Sequence, residues 1–199
     1  MAVPPEPIHW RGSLPFLAMH AGVFAVIWVG VSPVALAIAF KGRARGPRRP
    51  GAQLFETEQA VAAGIEDAFA FFSNAANLDA ITPPSLGFTI LTPLPIVMRE
   101  GALIEYRLRL MGLPIHWLTR IDEWDPGRSF TDTQLRGPYA LWVHHHSFSP
   151  DPQGTLIRDR VEYALPAPFL TAPVHAAFVR PMIEKIFAYR REIIARVLG

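Results

Sequence analysis

The sequence contains no cysteine among its 199 residues. This absence excludes disulfide bonds, thiolate catalysis and metal sites with cysteine ligands. The chain also lacks a general excess of basic charge, because its formal net charge is only +2 and five of its basic residues fall within residues 41–49. A positive charge concentrated in one short cluster is poor support for nucleic-acid binding by the rest of the chain. We therefore expect no nucleic-acid partner.

Charged residues are missing altogether from residues 14–40, a run of 27 residues without Asp, Glu, Lys or Arg. At about 1.5 Å per residue, a helix of this length is long enough to cross a hydrocarbon core of roughly 30 Å. The run predicts one transmembrane helix, so we expect the chain to contact the membrane through residues 14–40.

The basic cluster that follows this run predicts the orientation of the helix. Lys41, Arg43, Arg45, Arg48 and Arg49 lie on one side of it, and positive charge marks the cytoplasmic side of a membrane span. The interpretation is a single-pass protein of the inner (cytoplasmic) membrane with its C-terminal part in the cytoplasm. The alternative is a cleaved signal peptide, because residues 35–37 have the small-x-small form of a cleavage site. The weakly charged N-terminus and the basic residues just after that site argue against it.

The apolar run LPFLAMHAGVFAVIWVGVSPVALAIAF resembles the first membrane segment of acyl-CoA desaturases. Those enzymes hold two irons with several histidine boxes, and no such boxes follow in this chain, so desaturation is excluded. The glycine, proline and arginine residues of 41–52 are typical of a linker. The sequence thus predicts an anchor and basic linker over residues 1–50 and a separate domain over residues 51–199.

Residues 51–199 begin with a strand and two helices and continue with strands and turns. LFETEQAV alternates as a strand does, IEDAFAFFSN places apolar residues on one side of a helix, and residues 74–81 predict a second short helix. Short turns rich in Gly, Pro and Asp separate the strands that follow, which is typical of an antiparallel meander. Six strands are predicted there, at about 86–92, 101–111, 114–124, 128–136, 139–149 and 154–164.

The last predicted element is a long amphipathic helix over residues 169–198. Pro181 lies inside it and predicts a kink or break near residues 177–181, since proline removes a hydrogen bond and clashes with the preceding turn. Apolar side chains recur at spacings of three or four, which forms one stripe along the helix. The stripe consists of Leu170, Val174, Phe178, Met182, Ile186, Tyr189, Ile193 and Val197.

This order of elements is the helix-grip arrangement, an α+β fold in which a curved antiparallel sheet of about seven strands wraps around the C-terminal helix. Three stretches, FETEQAVAAGIEDAFAFFSNAANLDAITPPSLGFTILTP, GALIEYRLRLMGLPIHWLTRIDEWDPGRSFTDTQLRGPYALWVHHHSF and TLIRDRVEYALP, resemble bacterial ligand-binding proteins of the SRPBCC superfamily. That superfamily is also called START-like or polyketide cyclase-like and includes the birch pollen allergen. The resemblance spans residues 53–198 and implies a cavity for a hydrophobic ligand between sheet and helix.

Alternation along the strands predicts which side chains face that cavity. Tyr106, Trp117, Trp142 and His144 fall on the apolar faces of their strands, and Phe178 and Met182 lie on the apolar stripe of the helix. These six are the candidate ligand-binding residues. The alternative is that the aromatic side chains simply fill a core.

The run His144-His145-His146 is the most distinctive chemical feature. Adjacent strand residues point to opposite faces, so only His144 and His146 can share a ligand, and no third histidine or carboxylate at suitable spacing is evident. The sequence therefore predicts no metal site and no cofactor. Asp159 falls on the inward face of its strand, and a buried carboxylate there needs a partner, either Arg136 or His144.

Three functions remain open after these observations. The favoured hypothesis is a membrane-anchored, non-enzymatic protein that binds a lipid or another hydrophobic small molecule. The second is an enzyme of the cyclase or dehydratase type, with His144, Asp159 and Tyr106 as its candidate polar groups, although these form no recognisable dyad or triad in sequence. The third is a regulatory partner of another membrane protein, which the sequence does not identify.

Overall fold

A computed structural model describes residues 51–110, 112–166 and 175–199. These residues form one seven-stranded antiparallel sheet and two α-helices, with the longer helix at the C-terminal end. The predicted helix-grip architecture of residues 51–199 is confirmed. The strands and helices are β1 (Gln53–Val61), α1 (Ile65–Phe72), β2 (Thr89–Ile90), β3 (Leu103–Leu110), β4 (Leu113–Asp125), β5 (Ser129–Arg136), β6 (Leu141–Asp151), β7 (Gly154–Ala164) and α2 (Arg180–Leu198).

The sheet has the spatial order β1-β7-β6-β5-β4-β3-β2, and every neighbouring pair is antiparallel. Strands β2 to β7 form a simple meander. Strand β1 pairs with β7 and forms the edge of the sheet opposite to β2. Register shifts in the β4–β5 ladder mark irregularities of the bulge type, which bend a strand and increase its twist. One face of this sheet carries the buried side chains and faces the helices.

Helix α1 covers one end of that face. Its buried residues are Ala68, Phe69 and Phe72, on the side of the helix that the periodicity predicts. The ring of Phe69 lies 5.3 Å from that of Trp124 and 5.4 Å from that of Phe148. These aromatic contacts join α1 to β4 and β6 and close the core at this end.

The described part of the C-terminal helix consists of a π-helical turn, His175–Val179, followed by α2. Residues 169–174 of the predicted helix, with Leu170 and Val174 of its stripe, lie outside the described residues. The irregular turn lies at the predicted break and directly precedes Pro181, which has no N–H to donate to the carbonyl of Ala177. The hydroxyl of Tyr163 on β7 lies 2.8 Å from Nε2 of His175. This contact joins the π-helical turn to the sheet.

The predicted inward stripe of this helix is right only in part, because Met182, Ile186 and Ile193 are partly buried but the fully buried residues lie one position further along. Ile183, Phe187 and Ile194 are the buried residues of α2, whereas Phe178 and Val197 are 50% and 54% exposed. The reason lies in pairs of adjacent apolar residues such as 182–183, 186–187 and 193–194, which widen the apolar arc. One residue corresponds to about 100° of rotation, and the sheet packs against the second member of each pair.

The end of α2 is bonded to the loop between β1 and α1. The N–H groups of Ala62 and Ala63 donate to the carbonyls of Gly199 and Leu198, both at 2.8 Å. The side chain of Gln59 also donates to the carbonyl of Arg191, at 2.9 Å. Carbonyls in the last turn of a helix have no partner within the helix, so the bonds from Ala62 and Ala63 satisfy carbonyls at the end of α2, and the bond from Gln59 joins an earlier turn of α2 to β1.

Two of the other predicted elements are shorter than expected. The strand predicted at about 86–92 is reduced to Thr89–Ile90 and follows a 3₁₀ turn, Pro84–Leu86. The helix predicted over residues 74–81 is a single 3₁₀ turn, Ala75–Leu78. Pro84 begins the turn Pro84–Leu86. The ring of proline fixes φ near −65°, which suits a helical turn, and proline has no N–H to donate to a strand ladder.

The predicted membrane anchor, basic linker and desaturase-like segment, residues 1–50, lie outside the described residues. Within the described part of the chain, no helix combines the length and the apolar character that a membrane crossing requires.

A candidate ligand cavity with a buried Asp-His cluster

A cavity of about 170 Å³ lies between α2 and the buried face of the sheet. Five of the six predicted ligand-binding residues line it, namely Tyr106, Trp117, Trp142, His144 and Met182. The exception is Phe178, which is half exposed and does not line the cavity. The prediction for Phe178 was wrong because this residue lies in the π-helical turn before α2, where the periodicity of an α-helix does not apply.

Aromatic rings form one wall of the cavity. The rings of Tyr106 and Trp117 are stacked with centres 5.8 Å apart, and Trp142 meets Trp117 edge-on at 5.4 Å. The indole N–H of Trp117 donates to the hydroxyl of Thr119, at 3.0 Å. The rings therefore pack on one another and also border the open space, so both the core-filling and the cavity-lining interpretations hold for this wall.

Four polar side chains meet on the same face of the sheet, on the neighbouring strands β5, β6 and β7. In the strand register, His144 lies opposite Asp132, and His146 lies opposite Asp159. Both histidines and Asp159 are buried. Because residues two apart on a strand share a face, His144 and His146 both point inward, as predicted.

Each imidazole lies between the two carboxylates. Oδ1 of Asp159 is 2.9 Å from Nε2 of His144 and 2.7 Å from Nδ1 of His146. Oδ2 of Asp132 is 3.2 Å from Nε2 of His146 and 3.6 Å from Nδ1 of His144. Of the two partners considered for Asp159, His144 is the one that lies beside it, whereas Arg136 is exposed.

The expectation that no third group accompanies the two histidines was wrong. Asp132, His144 and His146 each offer one ligand atom, and these atoms all lie within 4.8 Å of one another. Spacing along β6 alone cannot show this, because the third group comes from the neighbouring strand β5. The signal that indicates it is the antiparallel β5–β6 register, which places Asp132 directly across from His144.

The pKa values of the two histidines in the cluster are shifted in opposite directions. Burial, together with the positive charge of His146, lowers the pKa of His144 to about 4. Burial also acts against the charged form of His146, but the charge of Asp159 and the hydrogen bonds to Asp132 and Asp159 together outweigh it and raise the His146 pKa. Burial would raise the pKa of Asp159, but the charge of His146 and the hydrogen bonds from both histidines together hold it well below its usual range. These shifts favour a neutral His144 and a charged Asp159–His146 pair.

Arg190 brings a positive charge from α2 to the same cavity. Its Cζ lies 5.5 Å from the ring centre of Phe72 and 5.7 Å from that of Phe187. Its Nε is buried without a hydrogen-bond partner, and no carboxylate of the described residues lies within ion-pair distance of it. Sequence reasoning missed this residue, although Arg190 falls three positions after Phe187 and seven after Ile183, on the buried side of the helix.

Comparison with known proteins shows the fold and no more. No family model matches the chain, and no curated protein matches it in sequence. Among solved structures, protein CV1439 from Chromobacterium violaceum is 14% identical with a TM-score of 0.58, over 75% of this chain and 98% of that one. The desaturase resemblance of residues 14–40 gains no support from these matches.

Two further solved structures match at a similar level. The di-domain ARO/CYC protein StfQ from the steffimycin biosynthetic pathway is 14% identical with a TM-score of 0.58, over 76% of this chain and 52% of that one. The ginseng major latex-like protein 151 from Panax ginseng is 11% identical with a TM-score of 0.55, over 75% of this chain and 99% of that one. Residues 51–199 therefore have the helix-grip fold that these structures share.

Proposed function

We propose that this protein binds a small, mostly apolar molecule that carries an acidic group, held between the sheet and α2. The observation that carries the proposal is an aromatic-walled cavity lined by Arg190, whose Nε has no hydrogen-bond partner among the described residues. Pockets that bind small molecules are typically apolar, with a few polar groups that fix the orientation of the ligand. The shared helix-grip fold supports a cavity at this place.

The size of the cavity limits the ligand. A volume of about 170 Å³ is slightly larger than the roughly 150 Å³ of a cavity that takes up benzene. One aromatic ring or a short acyl chain fits without rearrangement. A longer chain extends beyond the enclosed volume or displaces lining side chains such as Met182 and Ile186.

Arg190 indicates the acidic group. A guanidinium in a partly buried position is unfavourable without an anionic partner, and the described residues supply none within ion-pair distance. Arginine binds carboxylates through two parallel N–H donors. A ligand carboxylate at Arg190 with its apolar part against Trp117 and Trp142 would use both the charged and the aromatic side chains that line the cavity.

The proposal includes attachment to the cytoplasmic face of the inner membrane through residues 14–40. The uncharged run of 27 residues and the basic cluster after it support this placement. A tethered domain would meet a hydrophobic ligand where such ligands concentrate, at the bilayer.

One observation favours an enzyme as the second candidate. His144 and Asp159 form a buried pair at 2.9 Å beside the cavity, and a neutral imidazole oriented by a carboxylate can accept a proton, although a pKa of about 4 makes His144 a weak base. One of the structures with this fold is described as an ARO/CYC protein. Turnover of a bound ligand that is lost in His144→Gln, with binding retained, would favour this function over binding alone.

The test of the binding proposal uses the full chain in phospholipid nanodiscs. Tryptophan fluorescence is titrated with benzoic acids, fatty acids of increasing length and quinones, and each acid is paired with its alcohol. We expect a saturable response to an acid, a weaker response to its alcohol, and no response from empty nanodiscs. The signal should shrink in Trp117→Phe and persist in Trp124→Phe. A folded chain that shows no saturable response to any member of the panel would contradict the proposal and favour the partner-protein hypothesis.

A further inference from the structure

We infer that Asp132, His144 and His146 form a binding site for a divalent first-row transition-metal ion such as Zn²⁺, open to the cavity. The metal can bind without the hydrophobic ligand, because the three side chains that form the site come from the sheet alone. Two imidazoles and one carboxylate are a ligand set that suits such ions, and three protein ligands leave a coordination position for an outside molecule.

Two of the three separations between the ligand atoms match those around a metal ion. With bonds of about 2.0–2.2 Å, ligand atoms on a tetrahedral ion lie roughly 3.3–3.6 Å apart. Oδ2 of Asp132 is 3.2 Å from Nε2 of His146 and 3.6 Å from Nδ1 of His144. The third separation, between the two ring nitrogens, is no more than 4.8 Å, so a cation at this place requires at most that the two rings move toward each other.

The count of hydrogen-bond donors in the cluster supports a cation at this position. The two imidazoles have four ring nitrogens, and each lies within 3.6 Å of a carboxylate oxygen. Two neutral rings carry only two N–H groups. Unless both rings are doubly protonated, at least one nitrogen turns a lone pair toward a carboxylate oxygen. A metal ion bound to that nitrogen and to Asp132 replaces this repulsion with two bonds.

Asp159 occupies the place of the group that orients metal-bound histidines. Such histidines usually donate the N–H of their second ring nitrogen to a carboxylate or a carbonyl. Oδ1 of Asp159 is 2.9 Å from Nε2 of His144, in hydrogen-bonding geometry. It is 2.7 Å from Nδ1 of His146, where a small ring rotation is needed to align the bond. One carboxylate thus serves both rings and leaves Nδ1 of His144 and Nε2 of His146 for the metal.

Arg190 and the cavity define what the open coordination position takes. Asp132, His144, His146 and Arg190 all line the same cavity. A metal ion beside a guanidinium favours an anion between them, so the outside molecule is hydroxide or an oxyanion such as a carboxylate. The site therefore differs from a closed structural metal site, in which the protein supplies all four ligands.

The experiment uses the full chain without a histidine tag, in nanodiscs of neutral phospholipid, stripped of metal with a chelator. Co²⁺ is added first, because its visible d–d absorption reports a protein site of low coordination number, and Zn²⁺ is then added to displace it. Asp132→Asn and Asp159→Asn are compared with the wild-type chain. The matched control is His145→Ala, because His145 lies on the opposite face of the same strand.

We expect one Co²⁺ per chain, displaced by Zn²⁺, with an unchanged spectrum in His145→Ala. The affinity should fall by about 10- to 100-fold in Asp159→Asn, and by more in Asp132→Asn, which removes a ligand. A wild-type chain without a Co²⁺ band, or with equal Co²⁺ affinity in Asp132→Asn and the control, would overturn the inference.

A second measurement keeps the test decisive if a variant fails to fold. Side-chain ¹H–¹⁵N correlation spectra of the wild-type chain should show Zn²⁺ shifting the ring nitrogens of His144 and His146 and leaving those of His145 in place. Shifts confined to other histidines would place the metal elsewhere and refute the site. Neither measurement includes a hydrophobic ligand, so the absence of metal binding would not contradict the proposed ligand binding. Likewise, the absence of ligand binding would not contradict the metal site.

Discussion

The guanidinium of Arg190 lies over the ring of Phe72, with its Cζ 5.5 Å from the ring centre. A cation held over an aromatic face keeps its N–H groups available for an in-plane partner. The contact joins the long C-terminal helix to α1, so the charge is held in place from two elements. The position of Arg190 therefore predicts how its replacement affects the binding of an acidic ligand.

Arg190→Gln should weaken binding of an acidic ligand by about 10- to 100-fold, because hydrogen bonds to a charged group contribute roughly 1.5–3 kcal/mol. Binding of the corresponding alcohol should change much less. The measurement is fluorescence titration of the full chain in nanodiscs with the acid and its alcohol.

The matched control is Arg191→Gln, because Arg191 is the next residue and its side chain is exposed. Equal losses for acid and alcohol in Arg190→Gln would mean that the arginine supports the cavity wall and does not bind the ligand's charge.

Ile194→Ala should lower the free energy of unfolding by about 2–5 kcal/mol, because it empties a fully buried position under α2. Val197→Ala should change it by no more than about 0.5 kcal/mol, since Val197 is 54% exposed. Urea unfolding followed by circular dichroism measures both. A larger effect at Val197 would restore the originally predicted stripe of the helix and contradict the observed rotation.

Stability should fall as pH rises above about 10. Burial raises the pKa of Tyr106 and of Tyr139 above the ordinary phenol value of 10.0, so the unfolded chain loses protons that the folded chain keeps. Each such tyrosine then lowers the free energy of unfolding by about 1.4 kcal/mol per pH unit. Alkaline unfolding curves measure this slope.

Tyr139→Phe should make the slope shallower, because the substituted ring has no proton to lose. Absorbance at 295 nm should show that Tyr106 and Tyr139 ionise only when the protein unfolds. Ionisation of all four tyrosines near pH 10 in the folded protein would contradict the burial of these hydroxyls.

A reporter fused after Gly199 should be active on the cytoplasmic side of the membrane, because the basic cluster at residues 41–49 follows the apolar run. The measurement compares a phosphatase reporter, active only outside, with a fluorescent reporter that folds inside. Replacing the five basic residues of the cluster with glutamine should weaken or invert the orientation. Activity of the phosphatase in the unaltered chain would refute this topology.

Most of the fold could be predicted because its signals are local. Alternation along the strands, glycine at the turns and the apolar stripe of the C-terminal helix each depend on neighbouring residues. The exact face of α2 could not be predicted, since pairs such as Ile193 and Ile194 are apolar on adjacent stripes and only packing against the sheet chooses between them. The strand at 89–90 was overestimated because proline nearby fixes a 3₁₀ turn.

The candidate site was predicted in part for a similar reason. Tyr106, Trp117, Trp142 and His144 were found from alternation within single strands. Asp132 was missed because its relation to His144 exists only in the register between two strands. Arg190 was missed because charged residues on a helix are assigned to its solvent face, whereas here aromatic rings from two elements enclose the guanidinium.

His144 lies opposite Asp132, and His146 lies opposite Asp159, in the neighbouring strands. These pairs also affect the register in which the strands of the sheet pair. A slip of β6 by one residue would turn both histidines outward and bring Val143 and His145 to the inner face. The two inward carboxylates would then lose their partners, at several kcal/mol for a buried unpaired charge. The cluster thus stabilises the native register of β5, β6 and β7 over a register shifted by one residue. A chain with the shifted register would lack the Asp-His cluster.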